Sequence, residues 1–403
     1  MTSPRFLRLT PASVLGLALT LPLLASAQER LVGVRTTTLI PVWESWTFGD
    51  GVAHHVGGDS VTVSELTELS LPFVGVIPLG DRVTVDIAGA YSSGTVRLAD
   101  RDATLGVDRY QLSGPTNTKA GLVARRVGDG LLLTLGANAP TGHTSLDGEE
   151  LAALRVLAAP ALRLQVPALG AGPGGTAGMV LATRLGDWAW ALGVSYEMRG
   201  KYAPIAAITA GAPSPDFDPG DVLHFSLGLD GFFGQHGMTL ALSTDLYTED
   251  EFRVSGSVNE STVIQLGPTA SAEWQLRLAA QGWRELTLYA VDRYRTKYKQ
   301  GGQMIEGTSG NQLDGGLRAV RALSPGVGLA FGLEGRHHTG LKVDRSIATA
   351  GYAGGAITLG IQLSRGGFAI QPFARGQVGS IDSGGEKARA RGLAGGLTIA
   401  AGF

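Results

Sequence analysis

The reading turns on the last stretch of the chain, Leu393-Ala394-Gly395-Gly396-Leu397-Thr398-Ile399-Ala400-Ala401-Gly402-Phe403. Side chains alternate across a strand, so Leu393, Gly395, Leu397, Ile399, Ala401 and Phe403 share one face. A terminal strand with one apolar face invites aggregation in water. In a closed barrel the same strand is the last stave, paired on both sides.

The same period of two recurs upstream. Trp188, Trp190, Leu192, Val194, Tyr196 and Met198 alternate with Ala189, Ala191, Gly193, Ser195, Glu197 and Arg199. Leu223, Phe225, Leu227 and Leu229 alternate with His224, Ser226, Gly228 and Asp230, and Met238, Leu240, Leu242, Thr244 and Leu246 with Thr239 to Tyr247. Val327, Leu329, Phe331 and Leu333 alternate with Gly328, Ala330, Gly332 and Glu334. The chain is 44% hydrophobic and 17% charged, with 60 Gly and no Cys. Absence of Cys excludes disulfides, a lipid-anchored cysteine and thiolate chemistry. Past the N-terminal region no run of about 20 apolar residues could form a spanning helix. The nearest, Leu151 to Leu169, is interrupted by Arg155, Pro160, Arg163, Gln165 and Pro167. In lipid only helices and closed barrels satisfy their own backbone, so the apolar content belongs to strands.

At the N-terminus Arg5 and Arg8 precede an apolar run, Ala12 to Leu24, and Ala25-Ser26-Ala27 reads as a cleavage site. Residues 1–27 are expected to be a cleaved export signal, leaving a barrel over 28–403. The leader holds two Arg and no acid, so the remainder carries 31 basic and 35 acidic residues, a net charge of −4. That balance argues against a nucleic-acid partner.

Turn markers at Gly80, Gly128, Gly186, Gly234, Gly282, Pro325 and Gly366 recur every 41 to 58 residues. Each interval holds two strands and one longer loop, the rhythm of short periplasmic turns alternating with long outer loops. Seven turns give eight hairpins. The expected fold is therefore all-β: a transmembrane antiparallel up-and-down barrel of 16 strands, or 14 if the first strand and Ser380 to Ala388 fail to pair. Trp188, Trp190 and Trp283 follow inner turns, while Tyr91, Tyr196, Tyr247 and Tyr298 lie toward outer ends, as two interfacial girdles would. Strand phase turns Trp283 and Tyr247 inward.

The same phase puts Asp86, Glu197, Asp230, Asp245, Glu273 and Glu334 in the lumen with Arg199, Arg277, Arg293, Arg295, Arg318, Arg336 and Arg375. Such a set either biases what passes along a wet pathway or stiffens the wall through cross-strand pairs. Neither sign dominates, so strong ion selectivity is not expected. The longest outer loop, 141–176, is the third. Asp147 and Glu150 there form a capping-box start, followed by Leu151, Leu154 and Leu157, then Leu162, Leu164 and Val166. These six side chains are candidates for a constriction, because a water-exposed loop has no use for so apolar a stretch. A plain surface loop or an assembly contact is the alternative.

Leu131-Leu-Leu-Thr-Leu-Gly-Ala-Asn-Ala-Pro-Thr-Gly142, leading into that loop, resembles the matching region of outer-membrane proteins of the MetA-pathway phenol-degradation type. Leu112-Ser-Gly-Pro-Thr-Asn-Thr-Lys-Ala-Gly-Leu122 is similar to the approach to their preceding strand. These proteins are grouped with FadL-like channels for fatty acids and aromatic hydrocarbons. The resemblance implies passage of small hydrophobic compounds across the outer membrane of a Gram-negative cell. The family's fatty-acid channels carry an N-terminal hatch, and too few residues follow Gln28 to supply one. The C-terminal strand also resembles those of bacterial outer-membrane barrels, in which a final Phe is read by the barrel-assembly machinery; Phe403 would be that signal.

The seven His make no catalytic triad. The pairs His54-His55 and His337-His338 have the chemistry of metal ligands, but solvated loop histidines explain them more simply. No catalytic group, metal or cofactor is expected. The leading expectation is a passive channel for small apolar or aromatic solutes, with outer-membrane lipid as its surround. A non-transporting surface protein that binds a partner or stabilises the membrane is the alternative. A membrane enzyme stands third, and the sequence leaves the oligomeric state open.

Overall fold

In a computed structural model, residues 36–56, 59–125, 130–166, 169–206, 214–253, 261–342 and 345–402 are described. The expected leader, Gly128 and Phe403 lie outside them.

Sixteen antiparallel strands close into one barrel. Four of them bend once. β1 runs Thr36–Leu39 then Val42–Val56, and β2 runs Asp59–Ser70 then Phe73–Pro78. β3 runs Val83–Gly89 then Tyr91–Leu98, and β4 runs Arg109–Pro115 then Thr118–Arg125. The rest are β5 (Leu131–Ala139), β6 (Gly174–Leu185), β7 (Trp188–Arg199), β8 (Val222–Phe233), β9 (His236–Tyr247) and β10 (Thr269–Arg277). They continue as β11 (Trp283–Arg295), β12 (Gly310–Ser324), β13 (Val327–His338), β14 (Gly351–Arg365), β15 (Phe368–Ser383) and β16 (Glu386–Gly402). Each strand pairs with its sequence neighbours, and β16 pairs with β1 to close the ring. The segment around Ser380 to Ala388 is regular strand on both sides of a Gly384-Gly385 turn. Inner turns fall at Gly80, Gly186, Gly234, Gly282, Pro325 and Gly366. At Gly186, Gly234 and Gly366 the backbone is left-handed, at φ 62°, 63° and 55°, which glycine adopts without steric cost.

The alternation sets outside from inside. On β13 Leu329, Phe331 and Leu333 are exposed at 46%, 37% and 48%, while Ala330, Glu334 and Arg336 point inward. On β16 Leu393 is outward, and Ala394, Thr398 and Ala400 are inward. Among the described residues the register shifts at four places, Thr47/Val52, Val63/Glu65, Trp283/Glu285 and Ala322/Ser324. The change between Trp283 and Glu285 pairs Trp283 with Arg321 instead of Ala322, and Trp283 turns to the exterior. A bulge adds one residue and flips the face of everything before it. The inward Trp283 read from unbroken phase is therefore corrected.

The bends at Ile40-Pro41, Leu71-Pro72, Ala90 and Thr116-Asn117 are in register across four strands. Ile40 N donates to Pro72 O, Leu71 N to Tyr91 O and Ala90 N to the Thr116 hydroxyl, at 3.0, 2.8 and 2.8 Å. Below this line the wall is apolar outside (Phe73, Ile77, Ile87) and polar inside (Thr84, Asp86). Above it the faces exchange character. Trp46, Val63, Leu66, Val96 and Tyr110 point inward and are buried, while Ser45, Thr67, Thr95, Gln111 and Ser113 face out. On the outer side, five short strands from three loops form a small second sheet: Asp216–Asp218, Glu249–Arg253, Ser261–Gln265, Lys299–Gln300 and Gln303–Met304.

Candidate functional site: an internal loop and a polar wall

The third outer loop starts where β5 ends. Its two ends are tied to the bend of β4 and the end of β5: Asn117 donates to Ala171 O (2.9 Å) and accepts from Gly142 N (3.1 Å), and Asn138 on β5 donates to Gly172 O (3.0 Å). Helix α1 (Gly148–Leu157) begins with the capping box: Glu150 N donates to Asp147 Oδ1 at 2.9 Å, and Asp147 N to Glu150 Oε2 at 3.1 Å. Ala152, Ala153, Val156 and Leu157 are buried, then Ala159, Ala161, Leu162, Leu164, Val166 and Leu169. All join one cluster with Trp46, Val63, Val96, Tyr110, Tyr352 and Ile381 from the inner wall. Of the six candidate constriction residues, Leu157, Leu162, Leu164 and Val166 are buried in this cluster, and Leu151 and Leu154 pack half-buried against it. Leu157 lies so close to β3 that a Cβ at Gly94 would meet its Cδ1 at 2.6 Å.

Three polar ties cross from loop to wall. Arg163 Nη1 stands 2.7 Å from Asp314 Oδ2 on β12, with the Asp314 side chain only 4% exposed. Arg336 Nη2 on β13 donates to Ala161 O at 3.2 Å. The amides of Gln165 and Val166 donate to buried Glu68 on β2. Glu68 also accepts from Ser92 at 2.7 Å. Its register partner Glu44 accepts the Trp46 indole N–H and the Gln377 amide at 2.8 and 2.7 Å. Like charges facing each other across strands repel; here each carboxyl is surrounded by donors. Arg163 is one of two non-glycine residues among those described with positive φ, at 52°.

Most of the phase-assigned charges lie on β8 to β13 and β15, beside the loop. On β8 to β11 the phase-assigned charges pair across strands. Arg277 Nη2 lies 3.4 Å from Asp230, and Arg293 Nη2 lies 3.6 Å from Glu273. His224 Nδ1 is 2.5 Å from Asp245, which also accepts from Thr269 at 3.1 Å. The Asp230 and Arg277 side chains stay 44% and 42% exposed. A second group surrounds Glu334. Arg375 Nη2 is at 3.0 Å and Arg336 Nε at 3.8 Å, Tyr289 donates at 3.3 Å, and Arg318 stacks on the Tyr289 ring at 4.3 Å. Arg199 and Arg295 sit at the outer rim. Arg199 donates to Gly220 O at 2.5 Å and Arg295 to Thr308 O at 3.1 Å, each beside a tyrosine ring. Glu197 is exposed on β7, and Asp86 is buried on β3, away from both groups.

Sequence phase did not single out Glu44, Glu68, Arg163 or Asp314. Glu44 falls in step with Val42, Trp46 and Phe48, and Asp314 with Arg318, so a full accounting of parity would have found both. Among the described residues no cluster of three or more metal-ligating side chains occurs. His54 is buried against Tyr110, with Ser346 at 3.2 Å, and His337 and His338 point to opposite faces of the wall.

A closed ring of strands with an apolar exterior band, a partly polar interior and long loops at one end defines a transmembrane β-barrel of the outer-membrane type. No protein-family model matches the sequence, and no curated protein matches it. Among solved structures, an outer-membrane channel from Pseudomonas putida F1 aligns at 13% identity over 94% of this chain and 98% of that one, with a TM-score of 0.39. A TodX monoaromatic hydrocarbon channel variant aligns at 8% over 93% and 91%, TM-score 0.44. A Pseudomonas aeruginosa FadL homologue aligns at 10% over 92% and 90%, TM-score 0.43. At these values the likeness is one of general shape, and no property of those proteins is transferred by it.

Proposed function

We propose that this protein is a passive outer-membrane channel for small apolar or aromatic solutes. The observation that carries the reading is the asymmetry of the lumen. An apolar loop is docked on β1 to β4 and β14 to β16, while the Asp230–Arg277 pair on β8 and β10 stays close to half exposed beside it. A solute entering from outside meets Leu151 and Leu154 on one side and paired charges on the other. Paired charges keep the path wet without imposing a strong sign. Apolar flanks favour ring or chain over sugar. No energy source is part of this reading.

The test is single-channel conductance in planar bilayers with a solute panel, on the wild type and on a variant lacking Leu151 to Leu169. The expected result is a small conductance that rises on deletion, with weaker discrimination between apolar and polar solutes. Unchanged conductance and selectivity would place the loop outside the pathway. The small outer sheet favours a second reading, a surface that binds a partner, which gains if neither protein conducts.

A further inference from the structure

Above the bend line the exterior of β16 and β1 to β4 carries a row of side chains in register: Arg391, Thr47, Glu65, Arg97 and Arg109. Arg389 stands one outward position further along β16, beside Ser380. Strands lie about 4.8 Å apart, so the row spans roughly 19 Å. It starts four residues beyond Trp43, whose ring is outward and 44% exposed, next to exposed Leu69 at 44%. At about 3.3 Å per residue and a tilt near 40°, that puts the row ~10 Å above the aromatic level, where lipid phosphates and sugars begin. Three of the acids nearby are matched by cations, whereas exposed Asp50, Asp100 and Asp108 have no ion pair among the described residues. Glu65 is 2.9 Å from Arg97, Glu386 is 3.3 Å from Arg345, and Asp382 faces Lys387 in register. Asp100 and Asp108 lie in the loop between β3 and β4. Arg109, Arg389 and Arg391 have no ion-pair partner among the described residues and are exposed. At the outer ends of β7, β8, β9 and β11, the outward side chains are Tyr196, Met198, Phe225, Leu246 and Tyr294, with no cation.

We propose that Arg109, Arg389 and Arg391, with Arg97, form an exterior site for the phosphate groups of a phosphorylated glycolipid of the outer leaflet. The site rests on the barrel standing in the outer membrane with its long loops outward, but not on what the lumen carries. A planar guanidinium forks onto two phosphate oxygens. Ser45, Thr67, Thr95 and Gln111, one row below, offer hydroxyls and an amide to sugar hydroxyls. A phosphorylated glycolipid supplies both groups at that depth. A phospholipid supplies the phosphate but no sugar ring.

The test uses the full-length barrel in detergent and native mass spectrometry with three probes: a bisphosphorylated glucosamine-disaccharide lipid, the same lipid dephosphorylated, and phosphatidylglycerol. Variants are Arg389→Gln/Arg391→Gln, Arg109→Gln, Arg391→Lys, and Arg365→Gln at the inner end as control. Two removed cations should weaken the bisphosphorylated lipid about thirtyfold and make the residual binding less salt-sensitive. Arg391→Lys should retain more affinity than the glutamine variants, and Arg365→Gln should behave as wild type. Heat-modifiable migration checks that each variant is folded. Should the double variant not fold, the single Arg109→Gln variant carries the comparison, with an expected loss of about fivefold. Equal binding of the dephosphorylated lipid, equal binding of phosphatidylglycerol, or loss in Arg365→Gln as large as in the others overturns the site. Loss of conductance with lipid binding intact would sink the channel reading alone.

Discussion

Replacing Arg163 by alanine asks what holds the internal loop in place. In residues 159–166, the buried side chains are Ala159, Ala161, Leu162, Leu164 and Val166. At roughly 1.5–3 kcal/mol for each larger side chain and about 0.8 for each alanine, burial contributes roughly 6–11 kcal/mol. Ordering eight residues of backbone opposes it with roughly 8–16 kcal/mol. Apolar contact alone therefore falls short by a few kcal/mol, and the ties to Asp314, Arg336 and Glu68 must supply the difference. The Asp314 side chain is 4% exposed, and stranding a carboxylate at such a site costs about 3–5 kcal/mol. Arg163→Ala should move the loop from mostly docked to mostly released, since 1.4 kcal/mol is a factor of ten. Arg163→Gly deletes the same ion pair but relieves the positive φ of 52°, worth about 1–2 kcal/mol. Its loop should stay docked longer than in the alanine variant. The assay is single-channel recording: higher conductance and more frequent transitions in Arg163→Ala, less in Arg163→Gly. Asp314→Ala should match Arg163→Ala, and the double variant should add little to either. The latch is refuted by wild-type conductance in Arg163→Ala, or by fully additive effects in the pair.

Three further outcomes are expected. Deleting Phe403, or making it Asp, should leave little heat-modifiable barrel and cause periplasmic degradation; a normal yield would mean the assembly machinery reads something else. An epitope after Asp250 or Gly307 should be labelled on intact cells, and one at Gly282 only after permeabilisation; the opposite pattern would invert the barrel. In the second outer loop, burial of the Asp102 carboxyl pushes its pKa up, but the Tyr110 hydroxyl at 2.5 Å and the amides of Leu105 and Thr104 outweigh that and hold it below the usual value. A lowered folded pKa stabilises above the unfolded value, near 3.9, and the gain is lost as pH falls through the lowered one. Limited proteolysis should therefore find this loop as resistant at pH 5 as at pH 7 and cut only in stronger acid. Opening between pH 5 and 7 would contradict the assignment.

The strand count was legible because two signals agreed. Glycine turns recur with the length of a hairpin, and the residues between them alternate. What parity cannot report is a break in parity. The bulge at Trp283 leaves no trace beyond a strand one residue too long, and its partner Arg321 is distant in sequence. Loop contacts were hidden for a related reason. Arg163 meets Asp314 across 151 positions of chain, and no local pattern encodes that pairing. The loop's apolar composition was visible, but its direction was not.

That direction was written in the wall. The segments Val42–Val56, Asp59–Ser70, Tyr91–Leu98 and Arg109–Pro115 alternate, the first two across register shifts at Thr47/Val52 and Val63/Glu65, with their larger apolar side chains facing the lumen. Lipid cannot account for an inward apolar face, and a water-filled lumen would penalise it. Trp46, Val63, Leu66, Val96 and Tyr110 therefore require an apolar occupant, and the run from Leu151 to Leu169 is the stretch of loop that supplies one. The same inversion turns Thr47, Thr67, Thr95 and Gln111 outward, which hydrocarbon would penalise in turn. This sector must then rise above the hydrocarbon, and that height is what exposes Arg97, Arg109, Arg389 and Arg391 to headgroups. One reversal of pattern, at the line of bends, thus fixes both the filling of the lumen and the chemistry of the surface behind it.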